Sequence, residues 1–154
     1  MTGQILARLK EMGVVLPDPA APVANYIPAI RTGNLLFISG QLPFGPGGEL
    51  ATGKLGADTD IDQGAAAART CAINILAQCQ AALGDLDRVV RCVKLTGFVN
   101  CTPDFTEHAP VINGGSDFMV EVLNDRGRHA RAAIGSACLP LNAAVEIEGI
   151  FEVN

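Results

Sequence analysis

Tryptophan is absent from this 154-residue chain, tyrosine occurs once and phenylalanine six times. With so few rings, the core has to be built from Ala, Val, Ile and Leu. No aromatic-lined strip is available for stacking on nucleic-acid bases. Positive charge is also scarce: 11 Lys and Arg against 16 Asp and Glu leave a formal net charge of −5. Apart from Arg126, Arg128 and Arg131 the basic residues are scattered. Such a surface repels a phosphate backbone, which counts against nucleic acid as a partner and against ribonuclease activity. No apolar run reaches the roughly 18 residues of a membrane span. The N-terminus, MTGQILARLKEMG, is amphipathic and lacks an apolar signal core. A cytoplasmic protein without a membrane partner is expected.

Cysteine is present but unpatterned. Cys71, Cys79, Cys92, Cys101 and Cys138 form no CxxC, and an odd count does not suit a simple disulfide framework. Reduced, mostly buried thiols are expected. His108 and His129 have no metal-like spacing to each other or to the cysteines, so no metal site is expected. Neither G-x-x-x-x-G-K-[ST] nor G-x-G-x-x-G occurs, which leaves nucleotide-cofactor chemistry without support. The serines Ser39, Ser116 and Ser136 lack a His and an Asp at any triad-like spacing, so a nucleophilic triad is not expected.

What is present is apolar matter for one packed domain over residues 1–154: 49 % hydrophobic residues and 18 % charged. Thr2 can cap a first helix with Ile5, Leu6, Leu9 and Met12 on one stripe and Gly13 as its stop. Leu16 to Pro28 contains four prolines and reads as an extended arm. Tyr26 to Arg31 and Leu35 to Ser39 read as strands joined at Thr32-Gly33-Asn34. A Gly- and Pro-rich loop follows to Asp60. Thr59 or Asp60 then caps the strongest helix, which runs to about Leu83 with Gly84 beyond it. Arg88 to Val99 is a strand. A third helical region extends from Thr102 to about Leu123; Pro110 and Gly114-Gly115 interrupt it, which moves its start toward Asn113. Two strands close the chain, Arg131 to Cys138 and Val145 to Val153, joined through Leu139 to Ala144 as a hairpin.

The order α-ββ-α-β-α-ββ suits an α+β domain: a mixed sheet with two main helices on one face and a short N-terminal helix outside. The other sheet face then lacks cover, which points to self-association. In the expected hairpin Arg131 lies far from the turn and Glu146 beside it, roughly 20 Å apart at ~3.3 Å per residue. If both act on one ligand, the pocket lies between two chains.

Arg131 opens a strand and is followed by the small residues Ala132, Ala133 and Gly135 around Ile134. An arginine there is ordinarily a surface charge. Open space beside a planar guanidinium is also how a carboxylate is gripped through two parallel hydrogen bonds. Glu146 alternates with apolar residues, as a solvated strand face does, and a carboxylate there can also position a water. Ser39-Gly40 ends a strand, where backbone can approach a ligand.

The stretch RAAIGSACLPLNAAVEIEGIFEV resembles the C-terminal signature of the RidA (YjgF) family, and NYIPAIRTGNLLFISGQLP its N-terminal strand pair. Phe98-Val99 and Asp104-Phe105 fall at similar places, so the resemblance covers residues 20–154, with residues 1–19 as an extension found in one branch. It implies a chorismate-mutase-like fold and a homotrimer with clefts between subunits. It also implies hydrolysis of 2-imino acids or their enamine tautomers to 2-keto acids and ammonia, without metal or cofactor. On this resemblance Arg131 binds the carboxylate and Glu146 orders the attacking water. Tyr26, Ser39, Gly40 and Asn113 line the cleft, with Ala133 where many members carry Cys. That departure, and a longer segment between Phe105 and Arg131, leaves open a 2-aminomuconate-type deaminase or a binder without turnover.

Overall fold

The computed structural model describes residues 3–19, 21 and 24–154. Helix α1 (Gln4–Glu11) buries Ile5 and Leu9. Thr2, expected as its cap, lies outside the described residues; the N-cap is Gly3, whose own side does not cap. The free amides of Gln4 and Ile5 instead donate to the two oxygens of Asp87, at 2.7 and 2.9 Å. A carboxylate placed there also suits the positive end of the helix.

Strand β1 (Ala29–Thr32) pairs with β2 (Leu35–Gln41) across the Gly33 turn. It is shorter than the sequence suggested: Tyr26 and Ile27 lie outside it and are exposed. Helix α2 (Ile61–Leu83) follows the sequence reading at both ends. Asp60 and Gln63 form a reciprocal capping box, and Gly84 closes the helix at φ 75°, a conformation glycine adopts without strain. Its small residues Ala67, Ala68, Cys71 and Ala72 lie flat on the sheet.

Strand β3 (Val89–Asn100) leads into α3 (His108–Leu123), then β4 (Ala130–Ser136) and β5 (Val145–Val153). Helix α3 starts earlier than Asn113 and runs unbroken. Pro110 sits in its first turn, where a missing N–H costs nothing. Gly114 and Gly115 are not breakers either; they are where α3 meets the backbone of α2 at Ala65 and Ala68.

The five strands form one mixed sheet in the order β1-β2-β5-β3-β4. This overturns the expected hairpin of the last two strands. β4 pairs in parallel with β3, and β5 lies antiparallel between β2 and β3. Parallel neighbours require a crossover, and α3 provides it. The Pro140–Asn142 turn, with Leu141 and Asn142 at positive φ, carries the chain to β5 past β3.

Helices α2 and α3 cover one face. There Leu36, Ile38, Leu95, Val99, Ile147 and Phe151 are buried. The opposite face is uncovered in the single chain. The register aligns Ile30 with Phe37, Phe37 with Ile150, and Phe98 with Ile134 on it. Ile30, Phe37 and Ile134 are 57 %, 38 % and 47 % exposed; the row of Ile30, Phe37 and Ile150 and the pair Phe98–Ile134 form two apolar groups on this face, with Lys94, Thr96 and Glu148 between them.

All five cysteines are free, and only Cys138 is exposed. Burial pushes the thiols of Cys71 and Cys79 up and that of Cys92 up to about 12. The thiolate is the nucleophile. Alkylation of native protein at pH 8 should therefore modify Cys138, with Cys71, Cys79 and Cys92 reacting only in denaturant. Peptide mass mapping that found those three labelled as fast as Cys138 would contradict this packing. No helix of the described residues is long and apolar enough to cross a membrane.

Candidate functional site

Arg131 stands near the start of the edge strand β4, opposite Leu95 on β3, and its side chain reaches to the helix side of the sheet. Its Nη1 donates to Asn113 Oδ1 at 2.7 Å and to Ser116 Oγ at 3.2 Å. Asn113 and Ser116 are three apart on α3 and so share a face of that helix. Ser116 Oγ lies 2.9 Å from His129 Nε2, and His129 Nδ1 lies 2.6 Å from the carbonyl oxygen of Gly127. A carbonyl only accepts, so Nδ1 carries the proton of the neutral ring. Nε2 is then the acceptor, and the Ser116 hydroxyl donates to it. Ser116 Oγ thus accepts from Arg131 and donates to His129.

Among the described residues no carboxylate lies within ion-pair distance of Arg131, and its Nε and Nη2 make no protein hydrogen bond. The guanidinium is anchored through one nitrogen and keeps a free edge. Ala133, two residues on, is half-buried, and Gly135 is exposed; neither puts bulk beside that edge. A Cβ at Gly135 would come within 2.7 Å of His108 Nε2 and 2.8 Å of Cys101 Sγ, so a side chain there would displace the His108 ring and the Cys101 thiol.

The second group of residues lies elsewhere. Glu146 on β5 faces Phe98 across the ladder and belongs to the uncovered face. Its carboxylate lies over Gly40, where an added Cβ would come to 2.2 Å from Oε1. A bulge in β2 between Ile38 and Gln41 makes this approach possible. Burial, with the nearby Glu148 as a lesser cause, raises the Glu146 carboxyl above its ordinary range. A carboxyl raised on folding favours the native state while protonated, and that contribution is lost as pH rises through its native value. Glu146→Gln should therefore melt higher than the parent protein at pH 7–8, with the difference disappearing below about pH 4. Equal melting temperatures across that range would rule out the raised carboxyl.

Arg131 and Glu146 are separated by three positions along β3 and by two strand spacings, about 14 Å from standard strand dimensions. They also point to opposite faces. The separation is thus shorter than the roughly 20 Å expected from a hairpin, and it is the strand order and the opposite faces that keep the two residues out of one pocket within a chain. Tyr26, 54 % exposed, precedes β1 at the far side of the sheet from β4. Within one chain the structure groups Arg131, Asn113 and Ala133 on one side, and Ser39, Gly40 and Glu146 on the other. The sequence reading missed Ser116 and His129, and it dismissed Ser116 for want of a histidine. The two are 13 positions apart, and only the α3-to-β4 connection brings them together. A depression of about 540 Å³ at the start of α2, lined by Thr52, Asp58, Gln63 and Asn142 among others, contains none of these residues.

A family model described as "YjgF/chorismate_mutase-like, putative endoribonuclease" matches residues 6–152. The chain belongs to the RidA/YjgF family. Protein TCP17 of Trypanosoma cruzi is 49 % identical over 154 residues, covering 99 % of this chain and 96 % of its own. A crystal structure of the protein Atu1372, of unknown function, from Agrobacterium tumefaciens superposes with TM-score 0.91 at 51 % identity, over 97 % of this chain and 92 % of that one. The structure of E. coli TdcF with bound serine has TM-score 0.64 and 25 % identity, over 89 % of this chain and 94 % of that one. The α+β architecture is thus the chorismate-mutase-like fold of the RidA/YjgF proteins, with α1 added at the N-terminus.

Proposed function

We propose that this RidA/YjgF protein hydrolyses small 2-imino acids, or their enamine tautomers, to 2-keto acids and ammonia. The reaction is assigned to a cleft between copies of the chain. The observation that carries this reading is the free edge of Arg131. A guanidinium fixed by Asn113 and Ser116 through Nη1 alone, with no internal acid beside it, is pre-organised for a ligand carboxylate.

The chemistry asks little of the protein. An imine carbon is already electrophilic, so holding the carboxylate and placing a water supplies proximity without a covalent intermediate. Glu146 orders that water. Because Glu146 and Arg131 of one chain are far apart and oppositely directed, the glutamate of a neighbouring copy completes the site. The uncovered sheet face, with its exposed Ile30, Phe37 and Ile134, is the surface that a homotrimer buries. Bound serine in TdcF supports a small carboxylate-bearing ligand in this fold. Ala133 enlarges the space beside Arg131 where a cysteine is usual, which favours a bulkier substrate, including one of the 2-aminomuconate type.

The test is to generate 2-iminobutanoate or 2-aminoacrylate in situ and follow its loss with and without the protein. Acceleration is expected, from a particle of about three times the 16.0 kDa chain mass by light scattering. Binding of 2-keto acids with no acceleration would make the protein a carboxylate binder instead.

A further inference from the structure

Arg131 is exposed, and an exposed arginine on its own swings freely through many rotamers. What stops it is the number of acceptors on one nitrogen. Nη1 donates to Asn113 Oδ1 at 2.7 Å and to Ser116 Oγ at 3.2 Å. A single acceptor would let the planar group pivot about that one bond. Two acceptors on one trigonal nitrogen fix the plane, and with it the direction of the N–H groups left on Nε and Nη2. The second acceptor is therefore what aims the free edge.

That acceptor is itself held. A hydroxyl can turn either its proton or a lone pair toward a neighbour. The Ser116 proton is committed to His129 Nε2 at 2.9 Å, so a lone pair faces Arg131. His129 accepts there because its Nδ1 proton goes to the Gly127 carbonyl oxygen at 2.6 Å. Gly127 is buried at the end of the turn Asn124–Gly127, and a Cβ on it would come to 2.2 Å from the Met119 carbonyl oxygen. The turn is thus packed against α3, the helix that carries Ser116 and Asn113. The donors run one way, from Arg131 through Ser116 and His129 to Gly127, and each bond polarises the next. Ser116 and His129 are half-buried and lie on the Nη1 side, away from the edge offered to a ligand. Neither touches the substrate.

We propose that His129, acting through Ser116, is a positioning residue for carboxylate recognition. It keeps the Ser116 lone pair on Nη1, which presents Nε and Nη2 as a preformed fork and confines the carboxylate to a side-on, bidentate pose. This rests on the reading of Arg131 as the carboxylate grip given above, and adds the residues that set its aim. The contribution is to binding, because the arginine is ordered before the ligand arrives. It is the same for bound substrate and for its transition state, so it enters KM and leaves kcat alone.

The experiment measures 2-ketobutyrate affinity by calorimetry, and kcat and KM on 2-iminobutanoate generated in situ, for the parent protein, Ser116→Ala, His129→Phe and His129→Gln. Ser116→Ala removes the hydroxyl, and His129→Phe keeps a ring but removes its acceptor. Each should weaken ketobutyrate binding and raise KM about tenfold, with kcat within about twofold of the parent. His129→Gln puts an amide oxygen in place of Nε2 and should recover most of the affinity. Unchanged affinity in Ser116→Ala and His129→Phe, a loss confined to kcat, or His129→Gln as weak as His129→Phe would overturn the positioning role and leave the deaminase reading standing. A parent protein that binds ketobutyrate without accelerating imine loss removes the deaminase reading, and the affinities of the variants still decide the positioning role. A parent that binds no ketobutyrate removes both.

Discussion

Arg131→Ala should lower kcat/KM for a 2-imino acid by roughly 10²–10³, because two charge-assisted hydrogen bonds worth ~1.5–3 kcal/mol each are lost together, less some recovery from solvent. The fold should survive. Arg131 is exposed on an edge strand, and its partner Asn113 is exposed too, so water replaces the lost donor. Arg131→Lys is the informative companion. It keeps the charge but not the planar fork, so it should restore only part of the rate. Single-turnover kinetics on imine generated in situ, with circular dichroism as the folding control, measure both variants. Undiminished activity in Arg131→Ala would show that the carboxylate is held elsewhere.

Gly114→Ala is expected to be the most damaging small change to the fold. A Cβ at position 114 would come to 2.0 Å from the carbonyl oxygen of Ala65, 2.7 Å from its carbonyl carbon and 2.9 Å from its Cα. All three are backbone atoms of α2, so no rotamer change relieves the clash. The two helices that cover the sheet must separate, opening contacts to Ile112 and Ile147 beneath them. Overpacking of this kind costs about 3 kcal/mol, against a total stability of about 5–15 kcal/mol. For a chain of this size that corresponds to a melting temperature lower by roughly 6–12 °C. Gly115→Ala should be milder, because the nearest atom, at 2.9 Å, is the terminal methyl of Ile147, which can move. Urea denaturation of both variants checks the ranking; an unchanged midpoint for Gly114→Ala would mean the helices are not in backbone contact.

These glycines show where sequence reasoning stops. As single residues Gly114 and Gly115 read as helix breakers, since glycine weakens a helix by local entropy. In the fold they are helical, because the close approach of α2 compensates for what the local propensity lacks. The strand order failed to read through for a similar reason. Successive strands usually neighbour each other, which favoured a hairpin of β4 and β5. The apolar alternation of β5 instead places it centrally, between β2 and β3, with Val145, Ile147, Phe151 and Val153 buried under the helices.

By itself the sequence determined what depends on neighbours a few residues away. That includes the capping box at Asp60 and Gln63, the stop at Gly84, the Gly33 turn, the period of α2 and the alternation of β5. Each is set by hydrogen bonds and side-chain directions within one or two turns. The motif around Arg131 also marked the family. Tertiary structure alone decided the parallel pairing of β4 on β3, the open face, and the meeting of Ser116 with Arg131 and His129 across 15 and 13 positions. Those contacts are fixed by which elements share the buried face of a sheet, a condition on the whole chain that no local stretch encodes.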